Sequence, residues 1–285
     1  MIRLDQRMQT PRLIQLLRCI RLGRHLLWGV ATVACVYPFI RDGRRLWLKQ
    51  NWSCQLLNIL GVRLDAQLAG VEPGSLFVAN HISWLDIYAL NAARPMAFVS
   101  KAEVRQWPLI GWLAANTDTV FLRRGKGRHA KTVNSEIDGL LNAEKDVAIF
   151  PEGTTTDGTH LQNFHSALMQ PAVDTGRTVQ PVALSYYDAE GRHSQAPAYA
   201  GETTMGQCLS AILACRSLTV RLRPTPPLDP KTRQRRELAQ AARGAIAFNL
   251  GLPLENHFLG PARDHAGKQP SDDAPSDSLN PASIR

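Results

Sequence analysis

The sequence lacks the motifs that identify several common enzyme classes. It contains no Gly-x-Ser-x-Gly elbow, which disfavours an α/β-hydrolase, and no His-Glu-x-x-His run, which disfavours a zinc enzyme. It also has no phosphate-binding P-loop. The five cysteines, an odd number, include no Cys-x-x-Cys pair. We therefore expect reduced thiols in a cytosol-facing protein rather than disulfides or a bound metal.

The chain also has little that resembles a complete membrane span. Its N-terminal apolar run, residues 26–40, is shorter than the ~20 residues that a spanning helix usually needs. Basic residues flank both sides of this run: Arg12, Arg18, Arg21 and Arg24 before it, and Arg41, Arg44, Arg45 and Lys49 after it. Because a spanning helix normally has its basic excess on one side, this symmetry favours a helical hairpin in one leaflet. A buried core helix is the alternative. We expect attachment to the cytoplasmic membrane, with the catalytic domain on the cytosolic face.

Acidic residues are in the minority. The chain has 24 Asp and Glu against 33 Lys and Arg, which gives a formal net charge of +9. This balance suits acidic partners such as phosphate groups, anionic lipids, acyl carriers or nucleic acids. A basic run over residues 123–131 is the best support for a non-catalytic protein that binds nucleic acid or acidic lipid. Such a run is ordinarily a solvated turn, and no nucleic acid is expected as a partner.

Hydrophobic patterning divides the chain into three regions. Residues 1–61 predict a membrane-associated helical region, residues 62–260 an α/β domain, and residues 261–285 a disordered tail with almost no large apolar residues. In the middle region β-like runs alternate with helical windows, which predicts a mixed, largely parallel sheet flanked by helices. The β-like runs are Val62–Leu68, Leu76–Ala79, Met96–Val99, Thr119–Leu122, Val147–Phe150, Val179–Tyr186 and Leu218–Leu222.

The segment Asn80-His81-Ile82-Ser83-Trp84-Leu85-Asp86 carries the clearest chemical signal. Imidazole is suited to take a proton from a hydroxyl near neutral pH, and a carboxylate can fix its tautomer. Five helical steps would separate the two side chains by about 140°. His81 can therefore meet Asp86 only from a loop before a helix that starts near Ser83. Two structural alternatives stand beside this hypothesis: a capping box formed by Ser83 and Asp86, and a satisfied surface histidine.

A second segment places a carboxylate directly after a buried strand. Val147-Ala148-Ile149-Phe150 runs into Pro151-Glu152-Gly153-Thr154. Open α/β sheets usually bind ligands in crevices beyond the carboxyl ends of their strands. Glu152 and the backbone amides near Gly153 are therefore expected to line such a crevice. A polar surface loop is the alternative.

In this order, the two segments resemble the motifs of the glycerolipid acyltransferase family, whose best-known bacterial members are 1-acyl-glycerol-3-phosphate acyltransferases. Three further blocks are similar to the family pattern: Lys101 with Pro108 and Gly111, Phe121-Leu122-Arg123-Arg124-Gly125, and the strand that contains Pro181. The likeness covers roughly residues 55–230, and the number of ordered motifs makes it specific.

The resemblance implies an O-acyltransferase that moves a fatty acyl chain from a thioester to the free hydroxyl of a lysolipid. The expected acceptor is 1-acyl-glycerol-3-phosphate and the product phosphatidate. The family implies that His81 is the general base and that Asp86 orients it. It also implies a substrate-binding set, which consists of Lys101, Arg124, Glu152, Gly153 and Thr154. The implied donor is acyl-CoA or acyl-carrier protein, with no other cofactor, no metal and no acyl-enzyme intermediate.

Two departures from the family pattern weaken the case for a phosphate headgroup. Many members carry arginine where this chain has Thr155, and the family's Phe-Lys pair reads Phe164-His165 here. A lysolipid with another headgroup, such as a lyso-ornithine lipid, is therefore a competing acceptor. Two rivals of another class are a thioester or ester hydrolase, in which His81 activates water, and the non-catalytic basic membrane protein.

Overall fold

The computed structural model describes residues 10–122 and 127–253; the tail predicted over residues 261–285 lies outside them. The helices in these ranges are α1 (Arg12–Cys35), α2 (Asp42–Leu60), α3 (Leu85–Ala93), α4 (Ile110–Ala115), α5 (Gly127–Asn142), α6 (Gln170–Thr175), α7 (Met205–Ala214) and α8 (Arg235–Leu250). The strands are β1 (Val62–Ala66), β2 (Leu76–Ala79), β3 (Ala97–Lys101), β4 (Thr119–Leu122), β5 (Val147–Ile149), β6 (Val179–Tyr187) and β7 (Leu218–Pro224). Short 3₁₀ turns cover Tyr37–Phe39, Ala102–Gln106, Ser166–Met169 and Pro230–Thr232.

Every predicted β-like run forms a strand, with small differences at the ends. The strands lie in one sheet in the order β1-β7-β6-β2-β5-β3-β4. Strands β2 to β6 run parallel to one another, β7 is antiparallel to β6, and β1 is parallel to β7. The central strands β2 and β5 are buried along their whole length, because a parallel sheet is covered on both faces. The predicted α/β fold with a mixed, largely parallel sheet is confirmed.

Helices cover both faces of the sheet. Successive side chains of a strand point to opposite faces. On one face, residues such as Phe77 and Leu184 pack against α2 and α3. On the other face, Val78 and Ile149 pack against α5 and α8. With both faces covered, a crevice can form where the loops leave the carboxyl ends of the parallel strands.

Pro181 lies within β6, which has a neighbouring strand on each side. Proline is uncommon at such positions because it cannot donate a hydrogen bond to the sheet. Its carbonyl accepts a hydrogen bond from the amide of Thr225 at 3.0 Å. The antiparallel pairing of β6 with β7 begins at the next residue, Val182. The missing donor therefore falls just before the antiparallel ladder starts.

The N-terminal helices α1 and α2 pack against each other as a helical hairpin. The ring of His25 stacks on the indole of Trp52 with 4.4 Å between centroids, and its Nε2 lies 3.0 Å from the Trp52 carbonyl oxygen. A Cβ atom at Gly29 would come within 2.6 Å of the Trp52 side chain, so glycine permits this close approach. Helix α2 in turn packs on α3 and α1 on α7, which joins the hairpin to the α/β domain.

The outer surface of α1 carries large apolar side chains that are exposed to solvent. They are Leu13, Ile14, Leu16, Leu17, Ile20, Leu27 and Trp28. The segment Arg12–Phe39 is long and apolar enough to cross a membrane, judged by length and composition, and 22% of its most apolar window is buried inside the protein. Helix α1 starts immediately after Pro11, well before residue 26. The apolar run at residues 26–40 therefore belongs to a helical segment that is longer than the run itself.

Candidate active site

The two segments that carry the chemical signal follow neighbouring strands. The loop Asn80–Trp84 follows β2, and the loop that starts at Phe150 follows β5, which pairs in parallel with β2. The carboxyl ends of parallel strands meet at one edge of a sheet. The amide of Thr156 in the second loop donates a hydrogen bond to the carbonyl of His81 at 2.8 Å. The two loops therefore form one site.

His81 and Asp86 form a hydrogen-bonded pair. His81 lies in the loop before α3, which starts at Leu85. The spacing of the two residues predicted this position, because they could not meet from within one helix. The Nδ1 atom of His81 lies 2.9 Å from Oδ2 of Asp86. Because a carboxylate only accepts hydrogen bonds, this contact assigns the proton of the neutral ring to Nδ1 and leaves Nε2 as the basic atom. The His81 side chain is 18% exposed, so solutes can reach the ring.

The same carboxylate also holds the backbone just before α3. Oδ2 of Asp86 accepts hydrogen bonds from the backbone amides of Ile82 at 2.7 Å and Ser83 at 2.9 Å, and the Ser83 hydroxyl accepts one from the amide of Leu85. A capping box would need the Ser83 hydroxyl to accept from the amide of Asp86, so only the carboxylate half of the box weighed from the sequence is present. The carboxylate that supplies this half is the one that contacts His81.

Tyr186 completes the environment of Asp86. Its hydroxyl donates a hydrogen bond to Oδ1 of Asp86 at 2.6 Å. Burial and the nearby carboxylate raise the pKa of Tyr186 well above its ordinary value, so the phenol stays protonated and keeps donating. The motifs did not identify this residue. The available signal was a tyrosine in a run predicted to be buried, since a buried phenol usually has a polar partner.

Asn80 and Phe150 hold the two loops in place. The Asn80 side chain accepts from the amide of Leu184 at 2.8 Å and donates to the Leu184 carbonyl at 2.9 Å, which extends the pairing of β2 with β6 beyond the strand. The ring of Phe150 stacks on the His81 imidazole with 4.0 Å between centroids and 13° between planes. The first contact orients the backbone that precedes His81, and the second covers one face of its ring.

Glu152 is buried beneath the His81 loop. One carboxylate oxygen accepts from the amide of His81 at 2.7 Å, and the other accepts from the amide of Gln162 at 2.8 Å. Burial raises the pKa of Glu152 from its usual value of 4.5 to about 7, although both amide hydrogen bonds lower it. The contacts observed for the Glu152 side chain thus hold the backbone at His81 and Gln162 in place. Its contact with the acceptor headgroup stays a prediction.

Comparison with known proteins decides the family. The sequence model of the family described as Acyltransferase matches residues 64–185. A lyso-ornithine lipid O-acyltransferase from Pseudomonas aeruginosa is 41% identical over 205 residues, which cover 71% of this chain and 78% of that protein. This chain belongs to the glycerolipid acyltransferase family. A 1-acyl-sn-glycerol-3-phosphate acyltransferase from Neisseria meningitidis is also similar. It is 39% identical to this chain over 149 residues, which cover 52% of this chain and 58% of that protein.

A solved structure shows the same fold. The crystal structure of a 1-acyl-sn-glycerophosphate acyltransferase, PlsC, from Thermotoga maritima matches with a TM-score of 0.60. The match covers 82% of this acyltransferase and 96% of that chain, at 20% sequence identity. The arrangement of helices around the sheet is therefore one that an acyltransferase domain adopts.

The structure brings some of the predicted substrate-binding residues of the acyltransferase together. Gly153 follows Glu152 in the second loop, where it adopts a left-handed φ of 68° and its amide donates to the carbonyl of Phe150. Thr154 is exposed beside it. Lys101 lies at the carboxyl end of β3, the strand next to β5, and is also exposed. Arg124 lies outside the described residues.

Thr155 has a defined contact of its own. Its hydroxyl donates a hydrogen bond to the carbonyl of Tyr199. This position therefore carries neither the cation that many relatives have nor a hydroxyl directed at a ligand. Among residues 10–122 and 127–253, no group of three His, Cys, Asp or Glu side chains could hold a metal ion.

Replacing Tyr186 by Phe removes one donor from Asp86 without changing the shape of the core. We expect kcat for acyl transfer to fall about tenfold, or ~1.4 kcal/mol, with little change in KM. The acid limb of the pH–rate profile should move to higher pH, because the carboxylate directs more charge at His81. Tyr187→Phe is the matched control, since that ring lies over Arg221 and not at Asp86. Equal kinetics for both variants would contradict the assignment.

Glu152 should make stability depend on pH. Between pH 4.5 and about 7 the folded protein holds a proton on Glu152 that the unfolded chain releases, so the free energy of unfolding should fall as pH rises through this window. The contribution is up to about 3 kcal/mol. Glu152→Gln cannot titrate, so urea unfolding of the variant at pH 5 to 8 should show a flatter pH dependence than the wild type. Parallel curves would contradict the raised pKa.

Proposed function

We propose that this acyltransferase moves a fatty acyl chain from a thioester to the free hydroxyl of a lysolipid. The observation that carries the proposal is the His81–Asp86 pair, whose ring nitrogen Nδ1 is held at 2.9 Å from the carboxylate while the ring remains accessible. Relatives that the chain resembles over most of its α/β domain act on lysolipids, as their names state.

The proposed reaction is a direct transfer. Nε2 of His81 removes the proton of the acceptor hydroxyl while the hydroxyl oxygen attacks the thioester carbonyl. The tetrahedral intermediate then collapses: the new ester bond stays, the C–S bond breaks, and the thiol leaves with the proton that the imidazolium returns. Asp86 keeps the Nδ1 proton in place and stabilises the imidazolium. No acyl-enzyme intermediate and no further cofactor enter this scheme.

The proposed donor is acyl-CoA or acyl-carrier protein. Both are acidic, and the net charge of +9 favours the approach of either. The proposed location is the cytosolic face of the cytoplasmic membrane, where acyl thioesters are present. The apolar outer surface of α1, with arginines near it, supports attachment to a lipid surface.

For the acceptor, we favour a lysolipid with an amino-acid headgroup, such as a lyso-ornithine lipid. Thr155 replaces an arginine common in the family, and its hydroxyl is bound to the Tyr199 carbonyl. A phosphate monoester would normally be met by a bidentate cation at such a point. The lyso-ornithine relative from Pseudomonas is also matched over a larger share of its length than the Neisseria relative. Lysophosphatidate is the second candidate, supported by the Neisseria relative.

Replacing His81 by Gln tests the chemistry. Loss of the base should lower acyl transfer in detergent by about 10³-fold or more, while the circular dichroism spectrum stays unchanged. His193→Gln is the control, because that histidine is exposed and its ring lies against Tyr187. Undiminished transfer by His81→Gln would remove His81 from the mechanism. Thioester hydrolysis by the wild type with no acylated lipid, across a panel of acceptors, would favour the hydrolase.

Competition between acceptors tests the headgroup. With equal amounts of lysophosphatidate and lyso-ornithine lipid, mass spectrometry should show mostly diacylated ornithine lipid. Thr155→Arg should move the product ratio toward phosphatidate, since it restores a cation beside the site. Thr159→Arg adds the same charge at an exposed position of the same loop and should leave the ratio unchanged. Exclusive use of lysophosphatidate by the wild type would overturn the preference.

A further inference from the structure

Exposed large apolar side chains are concentrated in two parts of the described chain. One part is the N-terminal hairpin, including the 3₁₀ turn that joins its helices. The other is the connection between β3 and β4, where Trp107, Leu109, Ile110 and Trp112 expose between 38% and 60% of their surface. Outside these parts only Met205 and Phe248 belong to the same class among the described residues. Clustered exposure of this kind marks an interaction surface, whereas scattered exposure does not.

The second cluster, residues 107–112, is here called the aromatic turn. Its backbone is held in an unusual conformation: Leu109 has φ 61° and ψ −55°, and the amide of Ile110 donates to the carbonyl of Pro108 at 2.7 Å. This is a γ-turn of the rarer, strained hand. Such strain persists only where the surroundings impose it. The result is a compact turn that presents leucine and isoleucine between two indoles.

A glycine allows the aromatic turn to fold back on the segment that precedes it. A Cβ atom at Gly111 would lie 2.3 Å from the carbonyl oxygen of Arg105, so only glycine fits here. The amide of Gly111 donates a hydrogen bond to the carbonyl of Trp107. The guanidinium of Arg105 lies 5.5 Å from the centroid of the Phe121 ring. The aromatic turn is therefore folded tightly on the preceding segment, which contacts the edge strand β4 through Arg105.

The aromatic turn lies in the connection between β3 and β4. This connection follows Lys101 at the carboxyl end of β3, on the sheet edge that carries His81. Just before β4, Nζ of Lys49 in α2 donates to the carbonyl of Thr117 at 3.3 Å and pairs with Asp118 at the same distance. The connection that carries the aromatic turn therefore starts at the sheet edge of the site and ends in contact with the second helix of the hairpin.

The charges around the aromatic turn match a negatively charged partner. Lys101 and Arg105 are exposed just before it, with Glu103 as the one exposed acid between them. Tryptophan prefers the boundary between headgroups and acyl chains, and basic side chains beside it contact anionic headgroups. The aromatic turn and the segment before it therefore expose two indoles, two aliphatic side chains and two cations. This composition is typical of a surface that binds at the membrane interface.

We propose that the aromatic turn is a second lipid-contacting surface, which inserts into the interface of an anionic bilayer beside the N-terminal hairpin. The proposal deepens the proposed function, because it rests on a lysolipid acceptor. Contact at this point places the sheet edge with His81 against the bilayer. A lysolipid can then reach the base by moving laterally, with its acyl chain still among lipid chains.

Vesicle binding by the full-length protein tests the proposal, with one double variant of the aromatic turn and one single variant as its control. Leu109→Asn/Trp112→Gln removes two apolar side chains and uses asparagine where φ is positive. Its partition onto vesicles of phosphatidylethanolamine and phosphatidylglycerol should fall about tenfold relative to wild type. Phe248→Gln, which removes an exposed aromatic from α8, the helix on the face of the sheet opposite to α2, should bind as wild type does. Equal binding of the three proteins, together with an unshifted label in the measurement below, would overturn the proposal.

A labelling measurement covers the case in which the hairpin dominates binding or the double variant misfolds. The exposed cysteines Cys19 and Cys35 are first replaced by serine. An environment-sensitive fluorophore is then attached to Trp107→Cys, and to Phe248→Cys as the control. On addition of vesicles the label at position 107 should shift to shorter wavelength, and the label at 248 should not. An unchanged label at 107 on bound protein contradicts insertion. A shift at 107 caused by acyl-carrier protein and not by vesicles would instead make the turn a carrier-docking surface, which also contradicts it.

Activity separates this proposal from the proposed function. Acyl transfer to a lysolipid dissolved in detergent micelles should have the same kcat in Leu109→Asn/Trp112→Gln as in the wild type, because the variant leaves the His81–Asp86 pair intact. Loss of vesicle binding with full activity in micelles supports the surface alone. Absence of transfer by the wild type in micelles would refute the proposed function whatever the vesicles show.

Discussion

The carboxylate of Asp86 joins the proposed general base to the fold. It receives hydrogen bonds from the His81 ring, from the two amides of Ile82 and Ser83 just before α3, and from the hydroxyl of Tyr186. A fully buried carboxylate is costly unless such donors surround it. The same bonds that offset burial also fix the tautomer of His81. The local fold and the orientation of the His81 ring therefore depend on one side chain, and a change that affects one affects the other.

The sequence predicted the strands well because each of them is short, apolar and bounded by turn-forming residues. It also predicted that His81 and Asp86 meet through a loop, since the spacing excludes one helical face. Tyr186 and the carbonyl partner of Thr155 were not predictable in the same way. Both contacts join residues far apart in the chain, and they depend on sheet order and on the path of the segment around Tyr199. Local patterns do not contain that information.

Glu152 has a structural task that its motif did not predict. The family resemblance implied that its carboxylate helps to bind the acceptor headgroup, and that contact stays a prediction. In the structure its two oxygens accept from the amides of His81 and Gln162, so the side chain holds the His81 loop from below. A buried acid with a pKa near neutrality is a position where proton uptake and loop geometry are linked.

The order of the strands has a consequence for biosynthesis. His81 and Asp86 lie early in the chain, but other groups that hold them come from the loop after β5 and from the far end of β6. During translation the N-terminal hairpin leaves the ribosome long before residue 186 has been added. In the proposed arrangement, the nascent hairpin can therefore contact a lipid surface while the His81–Asp86 pair still lacks Tyr186. Long-range parallel pairing of this kind also forms slowly. The proposed attachment would thus precede the completed site.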